Sequence, residues 1–169
     1  MAIETLLTRL RPQLIAYARA ITSSVDAADD LVQDSIERAL NASAPPTALS
    51  DLRPWMFRII RNLHLDEIRK TKVRTEYASH HGRLFSEASY QPNDPLQDML
   101  VRQAFEALSP QHREVVFLVD IMGMRYLEAG KVLDVPEGTV MSRLSRARRS
   151  MFDRLNESNV APLPRRNRN

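Results

Sequence analysis

Between Lys72 and Asp94 the rhythm that organises the rest of this chain stops. On either side of it, apolar residues recur at the spacing of an amphipathic helix. Inside it, His, Ser, Gly, Tyr, Pro and Asn mix without any sustained period, the composition of a linker. A chain of 169 residues broken at that point has room for two small domains. Only four glycines occur, and Leu, Ala, Arg and Glu recur throughout, which favours helices over sheets. The expected fold is therefore all-α: two small helical domains joined by a flexible linker, each with a core of modest size.

The periodic segments place the elements. Leu6, Leu7, Leu10, Leu14, Ala18 and Ile21 share a helical stripe over Ile3 to Ile21. A second helix from about Asp26 to Leu40 carries an apolar stripe of Leu31, Val32, Ile36, Ala39 and Leu40. Its other side carries Asp30, Gln33, Asp34 and Glu37. Asn41 to Asp51, with Pro45-Pro46, reads as a loop. A third helix starts near Leu52, with Pro54 in its first turn. Met56, Ile59, Ile60 and Leu63 share its apolar face; Leu65 and Ile68 fall out of phase, which predicts a turn or a second short helix near Asn62 to Leu65. Beyond the linker four helices are expected. Leu96 to Leu108 forms one, and Ser109-Pro110 opens the next, which Gly123 closes. A short helix spans about Arg125 to Leu133, and a last one Glu137 to about Leu155. The boundaries this gives are 1–72, a linker over 73–94, 95–156, and a basic tail over 157–169 read as disordered.

Net charge is only +3, but it is unevenly placed. Acid gathers between Asp26 and Glu37, whereas Arg143, Arg146, Arg148, Arg149, Arg154 and the arginines from Arg165 to Arg168 crowd the end. This pattern suggests one surface for nucleic acid and another for a basic partner. Two short helices joined by a tight turn at Asp134, the second rich in arginine, are what a helix-turn-helix requires. Gly130 suits the close crossing and Asp134 tolerates left-handed backbone. On the last helix Val140, Leu144, Ala147, Met151 and Leu155 form the apolar stripe. Thr139, Ser142, Arg146 and Arg149 lie opposite it, with Arg143 on the flank, positions from which base edges and phosphates can be reached. A solvated basic surface is the plainer alternative.

These segments resemble a known family. Val135 to Arg148 (VPEGTVMSRLSRAR) closely resembles the "VPxGTVKSRLxRAR" segment of extracytoplasmic-function sigma factors, and Leu108 to Val115 resembles the preceding "LPxxxREV". Ala28 to Asp34 is similar to "AEDLVQE", Leu52 to Leu63 to "FRxWLYRIxRN", and Asp66 to Lys70 to "DxxRR". The resemblance covers nearly everything from Leu6 to Leu155 except the linker interior. It departs at Met141, where Lys is frequent, at Asp134, where Gly is usual, and at Arg125, where a Ser or Thr cap is frequent.

The family implies core RNA polymerase and promoter DNA as partners. Asp30, Gln33, Asp34 and Glu37 would dock on the β′ clamp helices. Asn62, with Arg58, Arg61, Asp66, Arg69 and Lys70 around it, would capture a base of the −10 element and hold its strand. Thr139, Ser142, Arg143, Arg146 and Arg149 would read the −35 element, and the same domain would bind the β flap. An anti-sigma protein is a further implied partner. Trp55 is a stacking platform or, more in keeping with its helix, a core residue.

No cofactor, metal or catalytic constellation is expected: there is no cysteine, and His64, His80, His81 and His112 lack ligand spacing. No apolar run approaches a membrane span and the start lacks a signal-peptide pattern, so a cytoplasmic protein without membrane insertion is expected. Two rivals remain: a conventional helix-turn-helix regulator, which leaves the motifs from Trp55 to Lys70 unexplained, and a sigma-like decoy that binds an anti-sigma protein without touching DNA. A decoy would be expected to have lost Arg61, Arg69, Arg143, Arg146 and Arg149, all of which are present.

Overall fold

The computed structural model describes residues 3–22, 24–74 and 95–159. Seven helices make up the described residues: α1 (Ile3–Ile21), α2 (Val25–Leu40), α3 (Leu49–Arg74), α4 (Pro95–Glu106), α5 (Pro110–Val116), α6 (Tyr126–Leu133) and α7 (Glu137–Asn159). The all-helical expectation holds. Most of the expected linker, 75–94, and most of the basic tail, 160–169, lie outside the described residues.

Helix starts follow local chemistry. Ser24 caps α2, its Oγ accepting from the Ala27 N–H at 3.1 Å. Ser109 caps α5, accepting from the His112 N–H at 3.4 Å, with Pro110 in the first turn. At α6 the departure at Arg125 costs a side-chain cap, but Glu128 compensates from within the first turn: its Oε2 accepts from the Arg125 N–H at 2.9 Å. The guanidinium of Arg113 donates to the carbonyls of Glu106 (2.7 Å) and Leu108 (3.2 Å), closing the open end of α4. Burial pulls that guanidinium below its ordinary pKa, opposed by Glu106.

Three elements differ from the sequence-based expectation. First, α3 is one unbroken helix through Asn62 to Leu65 and begins earlier, at Leu49, so Pro54 lies inside it. The residues that fall out of phase are not core residues: Leu65 is only half-buried and Ile68 is 39% exposed, so neither requires the helix to break. Second, α7 runs to Asn159, past the expected end near Leu155. Third, α5 does not end where its hydrogen-bond pattern changes. It passes into a π-turn over Phe117–Ile121, and Gly123, at φ +64°, then reverses the chain.

The two domains are not held apart. Leu10, Leu14, Tyr17, Met56, Phe57 and Ile60 of the first half join Val116, Phe117, Leu118, Val132 and Leu133 of the second in one buried cluster. The Tyr17 ring lies 4.8 Å from that of Phe57 and 5.8 Å from that of Phe117, spanning the seam. Trp55 is half-buried and packs against this core, as its helix position suggested.

Candidate nucleic-acid interface

The helix-turn-helix is built by three residues. Gly130 on α6 faces the turn so closely that a Cβ there would stand 2.8 Å from the Val135 carbonyl oxygen, so only glycine permits this crossing. Asp134 occupies the left-handed region (φ 55°, ψ 48°), as the turn requires. Val140, Leu144 and Ala147 are fully or almost fully buried and anchor α7 against the core. That orientation turns Ser142, Arg146 and Arg149 to solvent and leaves Thr139 and Arg143 half-exposed at the margin. Ser142 donates its hydroxyl to the Thr139 carbonyl at 3.1 Å. All five predicted residues therefore share one accessible side of α7.

On α3 the unbroken helix sets the register. Arg58, Asn62 and Asp66 recur every fourth residue, so they form one row, continued by Arg69 and Lys70. Arg58, Asn62, Arg69 and Lys70 are exposed. Asp66 accepts from Arg69 at 3.1 Å. Arg61 leaves this row. Its Nε donates to Glu114 Oε1 on α5 at 2.9 Å, and only 16% and 13% of the two side chains are exposed. Arg58 reaches toward Asp134 at 3.9 Å, but with side chains 52% and 81% exposed that contact is weak.

Asp30, Gln33, Asp34 and Glu37 all lie on the exposed side of α2, opposite buried Ala28, Leu31, Val32, Ser35 and Ala39. Gln33 donates to Glu37 at 3.3 Å, which leaves carboxylate oxygens along this side available to a basic partner.

Two features escaped the sequence reading. Tyr17 donates its hydroxyl to the same Glu114 oxygen at 2.7 Å, and Arg53 donates to the Met122 carbonyl, so polar bonds as well as apolar packing join the halves. Burial, then the Glu114 charge, push the Tyr17 hydroxyl well above its ordinary pKa of 10.0. The second is an apolar groove of about 560 Å³ between α4, the π-turn and α7, lined by Val101, Phe105, Ile121, Met151 and Phe152. Phe152, 63% exposed, stands at its edge. The adjacent pair Met151-Phe152, which widens the apolar stripe of α7, was the signal available in the sequence. No group of residues able to hold a metal, and no helix long and apolar enough to cross a membrane, occurs among the described residues.

Two family regions match the chain in succession. Residues 6–74 match sigma-70 region 2, and residues 98–151 match sigma-70 region 4. The chain is 34% identical over 139 residues to the ECF RNA polymerase sigma factor EcfG of Rhodopseudomonas palustris, covering 81% of this chain and 76% of that one. Among solved structures it is similar to the sigma factor RpoE of Bartonella quintana in complex with the anti-sigma factor NepR. The TM-score is 0.77 at 28% identity, over 91% of this chain and 96% of the other. CnrH, in complex with the cytosolic domain of CnrY, is similar at TM-score 0.64 and 28% identity, over 91% and 87% of the two chains. With both regions present in order, and a relative this similar over most of its length, the chain belongs to the extracytoplasmic-function RNA polymerase sigma factors.

Proposed function

We propose that this sigma factor, bound to core RNA polymerase in the cytoplasm, divides the promoter between its two basic helices. α7 reads the −35 element in the major groove: Arg146 and Ser142 address base edges, while Thr139, Arg143 and Arg149 hold phosphates. α3 works on the −10 element. Asn62 hydrogen-bonds the edge of a base drawn out of the stack, Arg58, Arg61, Arg69 and Lys70 hold the strand, and Asp66 steers Arg69. The acidic side of α2, with Asp30, Gln33, Asp34 and Glu37, docks on the β′ clamp helices. The groove beside Phe152 takes the β flap. Catalysis belongs to the polymerase. An anti-sigma protein, such as those bound to the similar solved sigma factors, regulates access to these surfaces.

The observation that carries this reading is the two-sidedness of α7, where buried Val140, Leu144 and Ala147 back a row of exposed Ser142, Arg146 and Arg149. Run-off transcription with purified core polymerase, this protein and a library of genomic promoter fragments tests it. Discrete transcripts that depend on the added protein are expected. Core binding without any transcript, across the library, would favour an incomplete or masked sigma factor; no binding to core at all would favour the decoy or the conventional regulator.

A further inference from the structure

Glu114 stands apart from every surface used above. It lies on α5, in the second domain, yet both of its bonds go to the first: Tyr17 on α1 and Arg61 on α3 reach the same carboxylate oxygen, at 2.7 and 2.9 Å. Tyr17 is fully buried, so its hydroxyl has no water as an easy substitute, and the Arg61 side chain is 16% exposed. Around this point α6 packs on α3, and Arg53 of α3 bonds the Met122 carbonyl beside the π-turn.

We infer that Glu114 is an interdomain latch, which holds the free chain closed without a second protein and keeps Arg61 off DNA. Promoter elements centred on −10 and −35 lie about 80 Å apart along a duplex. A chain whose α6 touches α3 cannot place one domain on each, so initiation requires that the Glu114 bonds break. The Arg61 guanidinium then exchanges one anion for another, the carboxylate for the phosphates of the −10 strand. Opening also releases Tyr17 from its seat between Phe57 and Phe117. The latch itself follows from the geometry alone; only its consequence for DNA rests on the role proposed above for Arg61.

The test uses the full chain. Because the protein has no cysteine, Ser43→Cys and Ser145→Cys, both at exposed positions, accept a pair of spin labels without side reactions. The distance between labels is measured by pulsed dipolar spectroscopy. In parallel, affinity is measured for a single-stranded oligonucleotide from the non-template strand of a promoter found by run-off. The starting protein should give one short, narrow distance. Glu114→Gln removes the charge that balances Arg61, and Tyr17→Phe removes one bond while keeping the ring. Each should shift the distance to a longer, broader distribution and tighten oligonucleotide binding, by roughly tenfold for Glu114→Gln. Arg61→Ala should open the chain with no gain in binding. If both Glu114→Gln and Tyr17→Phe retain full helix content and the short distance, the latch is overturned. Opening without tighter binding in Glu114→Gln would uphold the latch and remove Arg61 from the −10 contacts.

Discussion

The two arginine-rich helices look alike in sequence and differ in their surroundings. The basic side of α7 faces solvent, with its anchoring residues underneath. The corresponding side of α3 is divided: Asn62, Arg69 and Lys70 are exposed, while Arg61 is drawn into the seam and bonded to Glu114. On the proposed assignment, the −35 surface is complete in the closed chain, and the −10 surface is completed only on opening. Closure is thereby coupled, in this proposal, to strand capture, and duplex recognition is left untouched.

The strongest way to break this comparison is at the seam. Glu114→Ala strands a part-buried guanidinium and the buried Tyr17 hydroxyl, which should cost about 2 to 3 kcal/mol in denaturant unfolding. Arg58→Ala removes an exposed contact and should cost about 1 kcal/mol or less. Similar values for the two would show that the seam is no more desolvated than the surface.

The next contrast is in DNA affinity. Arg146→Ala should weaken specific binding to a −35 duplex by about 1 to 3 kcal/mol, by the same amount with Glu114 or Gln at position 114. The effect of Arg61→Ala on single-strand binding should instead depend on position 114, because those two side chains share a bond. A double-mutant cycle in each assay reads this directly.

Acid offers a smaller probe of the same seam. His64 sits one turn from the buried pair, and burial, then Arg61, pull its pKa below the ordinary 6.5. The folded chain therefore binds this proton less readily than the unfolded one. The stability His64 contributes is present above pH 6.5 and lost as pH falls through its lower folded value. Thermal melts should show this slope, and His64→Gln should flatten it.

The smallest effect belongs to the turn. Asp134→Gly relieves a left-handed backbone and gives up only the weak Arg58 contact, so a gain of about 1 kcal/mol or less is expected in unfolding. A loss would mean that Asp134 contributes more than its backbone conformation.

What the sequence made legible was local. The α7 stripe, a small residue at the crossing, which Gly130 supplies, and the left-handed turn at Asp134 all follow from spacing and backbone sterics, and each holds. No break forms near Asn62 because periodicity presumes that every apolar residue is buried, and Ile68, which falls out of phase, is exposed. Sequence alone groups Arg61 with the exposed DNA-facing residues, because Glu114, its partner, lies 53 positions away, and pairing at that distance leaves no local trace. The same holds for Tyr17, which in sequence is one more apolar position on α1 and in the fold bridges two domains. The groove beside Phe152 depends on how α4 meets α7, which helical spacing alone does not specify.

The proposed division of labour between α7 and α3 is read on promoter complexes. Polymerase assembled with the unaltered protein, Arg146→Ala or Asn62→Ala is probed by nuclease protection upstream and permanganate reactivity of unpaired thymines at −10. Asn62→Ala should keep the upstream footprint and lose the reactive thymines, while Arg146→Ala should lose the upstream footprint itself. If Asn62→Ala abolishes upstream protection as fully as Arg146→Ala does, the two helices do not divide the promoter in the way proposed.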